Sequence, residues 1–382
     1  MRIALRIAFV ALALALTLGP RAGAVLPFHF GLYASGPLDG ITDVAGVRVA
    51  HLTKIAGTSL RTGATVVLPN DDPWNRKVAA ATLAFNGNGE MTGTHWIDEA
   101  GYLEEPVVLT DTLDVPRAAD GVISWMLGRY PRVGVSDDVP LPVVAECDDQ
   151  ALNDIRARAV TAADVAALID AAKPGQFARG SVGAGTGMKA FALKAGIGSA
   201  SRVLPKDRGG YTVGVLVNDN TGSSREQLTI DGVHVGERLK GELLPVFPHK
   251  VAMHGRMASG SIDVVVATDA PLDARQLRAL AQRAALGMGR TGLTSDVGSG
   301  DLFIAFSTTR IYRRNADFDI AAPAIATPED DSSLNALYAA TAEATQAAIY
   351  DALFEAKTMT GRNGITYYGL PVDRVLQMLR AR

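Results

Sequence analysis

Cysteine is nearly absent. Among 382 residues there is one, Cys147, which excludes an intrachain disulfide and leaves stability to the core and to assembly with other copies. Charge is sparse as well: Asp, Glu, Lys and Arg make up 20% of the chain and the net charge is −3, so no electrostatic footprint for nucleic acid exists. The six histidines, His29, His51, His95, His234, His249 and His254, are scattered without metal-ligand spacing, and neither a metal nor an organic cofactor is expected. No repeat period is present. What is plentiful is apolar residues, at 48%, and glycine, at 39 positions. Such a chain supports a large core with many tight turns, and its length suits one large α/β unit.

The first 24 residues read as a cleaved secretory leader. Arg2 and Arg6 form a basic start, Ile7 to Leu18 an apolar run, and Ala22-Gly23-Ala24 a small-residue cleavage site. The apolar run is short for a membrane span of roughly 20 residues. No second stretch is long enough, so a periplasmic or secreted protein, free of the membrane once the leader is removed, is expected. Loss of residues 1–24 removes Arg2, Arg6 and Arg21 and no acid, which takes the net charge from −3 to −6.

The chain is organised around Ala258-Ser259-Gly260-Ser261-Ile262-Asp263-Val264-Val265-Val266-Ala267-Thr268-Asp269. Residues Ile262 to Ala267 are rich in β-branched and apolar side chains, the mark of a fully buried strand. Ser261 stands at its mouth behind Gly260, which lacks Cβ and lets backbone approach closely. Two readings fit: a Gly-Ser loop before a core strand, or a serine placed to attack its own upstream peptide bond and become a new N-terminus.

Other strand ends carry similar polar residues. Pro142 to Glu146 is a buried strand ending in a carboxylate, and Glu146 suits either a substrate-amine ligand or a helix cap. Tyr211 to Val217 is a strand running into Asn218-Asp219-Asn220, where Asn220 either donates to an oxyanion or makes a turn. Leu302 to Ser307 is a strand preceded by Ser299 and Asp301. These two share a face on an extended chain and either relay protons around a nucleophile or form a Ser/Gly/Asp turn. If that strand neighbours the one after Ser261, both lie near the Ser261 hydroxyl.

Local patterns predict helices over Ala118–Arg129, Thr161–Ala172 with Thr161 as cap, Asp273–Gly289, and Ser332–Lys357 capped by Asp331 or Ser332. Phe85 to Gly93 is too glycine-dense for regular structure, and Leu228 to Val235 carries a hairpin signal at Asp231-Gly232. Gly180-Ser-Val-Gly-Ala-Gly-Thr-Gly-Met188 lacks the strand-to-helix context and distal acid of a dinucleotide site, and fits a chain-reversing loop beside an active site. Glu237 to Ala258 reads as a linker.

Together the segments Gly40–Val49, Val144–Ile155, Ser181–Arg202, Tyr211–Gly222, Gly260–Pro271, Ala284–Thr308 and Thr358–Gly364 resemble the DmpA-like N-terminal-nucleophile aminopeptidases, the L-aminopeptidase/D-esterases and β-peptidyl aminopeptidases. The resemblance spans nearly the whole mature chain and implies an α/β, four-layer αββα sandwich like that of ornithine acetyltransferase. It implies self-cleavage between Gly260 and Ser261 into an α chain (25–260) and a β chain (261–382) of one domain. Ser261 would be the serine nucleophile, supported by Ser299 and Asp301, with Asn220 holding the oxyanion and Glu146 the ammonium end of a short peptide, amino-acid amide or ester, of L-, D- or β-configuration. Homo-oligomers of αβ units are implied. Three positions depart from the family pattern: Asp301 replaces Glu, Asp148 replaces an aromatic, and Leu109-Thr-Asp-Thr112 replaces Leu-Thr-Asn-Thr. The alternatives are a non-catalytic periplasmic peptide- or amine-binding protein on the same fold, and an acyltransferase using the same nucleophile.

Overall fold

The computed structural model describes residues 26–222, 224–248, 260–314, 320–321, 323 and 325–381. The leader and the stretch 249–259, which holds the second part of the expected linker, lie outside the described residues. Among the described residues no helix is long and apolar enough to cross a membrane.

The chain opens as β-structure. Strands β1 (Arg48–Ala56), β2 (Leu60–Leu68) and β3 (Arg76–Gly87) are followed by α1 (Thr94–Ala100) and the short β4 (Tyr102–Leu103). Next come β5 (Val107–Thr110), α2 (Val115–Arg129), β6 (Val143–Glu146) and α3 (Ala162–Asp170). A two-stranded ribbon of β7 (Lys189–Ala190) and β8 (Leu193–Lys194) leads to β9 (Ile197–Val203), β10 (Thr212–Asn220) and α4 (Val235–Arg238). Then follow β11 (Ser261–Thr268), α5 (Ala274–Gly289), β12 (Gly300–Arg314), β13 (Ile320–Ala321) and α6 (Asp331–Glu355). The chain closes with β14 (Met359–Thr360), β15 (Thr366–Tyr367) and α7 (Val372–Arg380).

Two sheets result. The smaller runs β1-β2-β5-β6 and the larger β4-β3-β12-β11-β10-β9, with β13 paired to β12. Alternation along each strand divides the core into three slabs. Val264 and Val266 of β11 face α5 and α6 together with Val215, Val217, Phe303 and Ala305. Val265 and Ala267 face the smaller sheet, meeting Val67, Val107, Leu109 and Ala145. The far side of the smaller sheet, with Val66, Val108 and Val144, is covered by Val122 and Met126 of α2 and Val165 and Leu168 of α3. The molecule is therefore a four-layer αββα sandwich, the fold class expected from the sequence. Strand β11 is buried along its whole length, and burying each of its valines contributes about 1.5–3 kcal/mol.

Helix starts follow the sequence closely. Thr161 Oγ1 accepts from Asp164 N at 3.2 Å and Asp273 Oδ1 from Gln276 N at 2.8 Å, each satisfying an orphan donor. The cap of α6 is Asp330, one residue before the expected pair, because its carboxylate accepts from Ser333 N at 2.7 Å. Two other expectations are corrected. Phe85 to Gly87 belong to β3, since Asn86 and Gly87 pair with Asp301 and Gly300 of β12 around an irregularity in register. The Leu228–Val235 hairpin shrinks to a tight turn with a single bridge, Ile230 to Val233, because Val235 already starts α4.

The alanine-rich face of α6 lets that helix sit directly on the larger sheet. A Cβ on Gly198 of β9 would lie 1.9 Å from Ala348 O and 2.6 Å from Ala352 N. Beside this approach, Asp351 accepts from Ser199 N at 2.9 Å and pairs with Arg179 at 3.3 Å, all three groups buried. Gly198→Ala has no flexible neighbour to displace. It is expected to destabilise the protein by about 3 kcal/mol or more, the upper range for overpacking, read as a lowered midpoint in chemical denaturation. An unchanged midpoint would refute the close approach.

Candidate active site

The site grows from the last rung of one ladder. β10 and β11 pair antiparallel with Asn220 opposite Ser261 and Asn218 opposite Asp263, so the Asn220 side chain and Ser261 hydroxyl are cross-strand neighbours. The Asn220 amide has one orientation that satisfies its surroundings. Its Oδ1 accepts from Lys189 N at 3.1 Å, and its Nδ2 donates to Asp148 O at 3.0 Å and to Ser261 Oγ at 3.5 Å. Gly260 is wedged against the same turn of chain. A Cβ there would lie 2.3 Å from Asn220 O and 2.5 Å from Thr221 Cα, so only glycine fits ahead of Ser261.

Glu146 reaches this point from the smaller sheet. Parallel pairing of β5 with β6 sets Thr110 beside Glu146. Two residues beyond Thr110, the Thr112 hydroxyl donates to Glu146 Oε2, while Glu90 N donates to Oε1 at 3.1 Å. The next helical turn begins only at Ile155, so Glu146 caps no helix. Burial raises its carboxyl above the usual range, with Asp148 and Glu90 adding repulsion. Glu90, Thr112, Glu146, Asp148, Asn220 and Ser261 line a cleft of about 440 Å³ whose remaining wall includes Gly260.

Ser299 and Asp301 lie across the sheet from that cleft. β11 and β12 are neighbours, as the expectation required, and pair in parallel with Ile262 beside Asp301. Residues paired this way point to the same side, and Ile262 faces the helices. Asp301 therefore sits on the helix side, while Ser261 shares the alternation of Val265 toward the smaller sheet. Asp301 Oδ1 accepts from the Ser299 hydroxyl and Oδ2 from that of Ser295. The three line a small pocket with Thr221 and Gly260. Gly260 thus borders both chambers. Burial pushes the Asp301 carboxyl up to about 6, with Asp296 adding to the rise and the Ser299 hydrogen bond opposing it.

Several supporting groups escaped the sequence reading. The Lys189 contribution is a backbone N–H, which no side-chain pattern reveals. Thr112 was noted only as part of a departing tetrapeptide, yet a hydroxyl two residues past a strand parallel to that of Glu146 is a usable signal. Asp263, two residues after Ser261 on the same face, was legible as an acid inside an apolar strand. It is fully buried and accepts from Asn218 Nδ2 at 3.3 Å and Cys147 Sγ at 3.5 Å. Ser295 adopts φ 59° in a loop that composition does not place. The Gly183–Gly187 turn lies near the site as expected. It packs on β2, with Ala184 N donating to Thr65 Oγ1 at 3.1 Å, and leads directly to Lys189.

This geometry has relatives. The model described as Peptidase family S58 matches residues 39–367. The beta-peptidyl aminopeptidase BapA of Sphingosinicella xenopeptidilytica is 39% identical over 383 residues, 95% of this chain and 92% of that one. Among solved structures, a Burkholderia sp. beta-aminopeptidase superposes with a TM-score of 0.83 at 38% identity, covering 92% of this chain and 96% of its own. The L-aminopeptidase D-Ala-esterase/amidase of Ochrobactrum anthropi, described as a serine aminopeptidase with a variant of the Ntn hydrolase fold, gives 0.81 at 36% identity, covering 94% and 97%.

The Asp301 environment has a stability consequence. In the folded chain this carboxyl titrates near 6 rather than at its ordinary 3.8, so the native state holds the proton more tightly than the unfolded one. Its contribution to stability is greatest below pH 4, declines as pH rises from about 4 to 6, and is constant above that window. In thermal melts across that range, Asp301→Asn is expected to gain on wild type as pH rises through the window. A difference independent of pH would contradict the perturbed carboxyl.

Proposed function

The chain belongs to peptidase family S58 and is an aminopeptidase, and we propose that Ser261 is its nucleophile, freed when the precursor cuts its own Gly260–Ser261 bond. In that step the Ser261 oxygen adds to the Gly260 carbonyl carbon and the C–N bond breaks. The hydroxyl proton ends on the departing nitrogen, leaving an ester. Water then cleaves the ester to a Gly260 carboxylate and a serine with free hydroxyl and free α-amine. The products are the α chain 25–260 and the β chain 261–382, which stay together because β10 and β11 pair along eight residues.

In turnover the new α-amine takes the Ser261 hydroxyl proton as the oxygen attacks the substrate carbonyl. Such an amine has a reference pKa near 7.7–8.0, well matched to a base at neutral pH. Asn220 Nδ2 donates to the oxyanion, and Glu146 holds the substrate ammonium, so cleavage falls after the first residue. The leaving amine departs with the transferred proton, and water releases the acyl group. Asp301 and Ser299, bordering Gly260 from the helix side, hold the new amine in place. The observation that carries this reading is the Asn220 amide, pinned by Lys189 N so that its Nδ2 donates to Ser261 Oγ as well as to Asp148 O, in the cleft that also contains Glu146. Short peptides, amino-acid amides and esters are the substrate class, β-amino acids among them in view of the relatives' activity. Export by the N-terminal leader and assembly of αβ units into a homo-oligomer belong to the same proposal.

Intact mass and a denaturing gel test the first step. Wild type is expected as two chains with Ser261 at a new N-terminus, and Ser261→Ala as one. A single chain for both would remove self-processing and the amine base with it. Asn220→Ala is expected to lower kcat on an aminoacyl amide by about 10²–10³ with little change in KM. A fall of less than about tenfold would remove Asn220 from the oxyanion site.

A further inference from the structure

The charges of the cleft ask for more than one ammonium. Three carboxylates descend through it by depth: Glu90 exposed at the mouth, Asp148 half-buried, Glu146 buried at the floor. No lysine or arginine lines it. Among the described residues none of the three makes an ion pair. Some buried carboxylates elsewhere do, Asp39 and Glu343 with Arg202, Asp351 with Arg179 and Glu104 with Lys77, while others, such as Asp111, Asp149, Asp219 and Asp263, are held by hydrogen bonds from neutral groups. Among the described residues the Asp148 carboxylate accepts from its neighbour Gln150, through backbone N at 2.8 Å and through Nε2. Lys189 feels the Asp148 charge but does not line the cleft; it is buried, feels Asp219 as well, and has its own charge disfavoured by burial. Lys189 is one basic group against the three carboxyl groups that line the cleft.

We infer that the cleft selects N-terminal residues carrying a second positive charge, with the α-ammonium on Glu146 and the side-chain ammonium or guanidinium on Asp148 and Glu90. This rests on the reading of Glu146 as the ammonium site. An uncharged N-terminal residue neutralises one carboxylate and leaves two facing each other across a partly desolvated space. A lysine, arginine, ornithine or β-homolysine residue neutralises more of them, and an acidic side chain adds repulsion. Because Asp148 is half-buried and Glu90 exposed, the second contact is screened by salt more readily than the first.

The test uses the processed enzyme and p-nitroanilides of lysine, arginine, norleucine and glutamate. Norleucine matches the lysine chain without its ammonium. At low ionic strength kcat/KM for lysine is expected to exceed that for norleucine by roughly tenfold or more, the ratio given by about 1.4 kcal/mol. Glutamate should be the poorest of the four. Raising salt should shrink the ratio, and the double variant Glu90→Gln/Asp148→Asn should bring it toward one, while Asp148→Glu retains it. Turnover of norleucine anilide at a rate equal to lysine would overturn the inference and leave the aminopeptidase reading standing. A fully processed enzyme that turns over none of the four would overturn both.

Discussion

One antiparallel pairing governs this molecule: the register of β10 against β11, which ends with Asn220 opposite Ser261. Side chains alternate along a strand, so a slip of one residue would turn the serine from the cleft to the helices and carry Asn220 with it. The register is held far from the site. Val213, Val215 and Val217 lie among the helices with Val264 and Val266, and Leu216 and Val265 lie between the sheets. Each valine on the wrong side would trade a fitted slab for another of different shape. The catalytic geometry is thus fixed by hydrophobic burial along eight residues of ladder, and the polar residues at its end inherit their positions.

Beneath the last rung lies a layer of buried ionisable groups. Asp219, on the strand between Asn218 and Asn220, titrates near 7 because burial outweighs its hydrogen bonds from Thr221 and the fields of Lys189 and Lys194. Burial likewise pulls the Lys194 ammonium down to about 7, while that group donates to Gly185 O at 3.2 Å and Ala195 O at 2.5 Å. The glycine-rich turn therefore supplies, at Gly185, one of the two carbonyls that hold a buried lysine. Lys194 fixes the ribbon of β7 and β8, the ribbon supplies Lys189 N, and Lys189 N fixes the Asn220 amide. An interior of low polarity makes each link strong when satisfied and expensive when broken.

The elements of this fold were largely legible in the sequence because their signals are local. A run of β-branched residues made β11, Asp273 and Thr161 announced their helices, and the glycine before Ser261 marked a close approach that the Asn220–Thr221 backbone supplies. What local pattern could not give was sidedness. Ser299 and Asp301 were read as sharing a face with each other, which their hydrogen bond bears out. Their face relative to Ser261 depended on whether β12 aligns its Asp301 with Ser261 or with Ile262, a parallel register set by distant packing. Backbone donors were invisible for the same reason: Lys189 N and Glu90 N act through chain paths, and any residue type at those positions would serve.

Sidedness has a chemical consequence. A base and an electrophile donor on the same face of one strand compete for the same few ångströms around a hydroxyl. Here the Asn220 amide and Glu146 occupy the inter-sheet face, and Asp301 with its two serines occupies the helix face. Among the described residues Gly260, just ahead of Ser261, lines both. In the proposed self-processing, cutting the Gly260–Ser261 bond would leave an amine at the seam, near a carboxyl that burial pushes up to about 6. On that proposal Asp301, ionised at neutral pH, would stabilise the protonated form of the amine and so strengthen it as a base for the serine proton. Below pH 6 that support would be lost, and burial raises the Glu146 carboxyl above its ordinary range as well. On that proposal catalysis weakens on the acid side as Asp301, on the larger sheet, takes up its proton, and protonation of the raised Glu146 carboxyl, on the smaller sheet, acts in the same direction by weakening its hold on an ammonium.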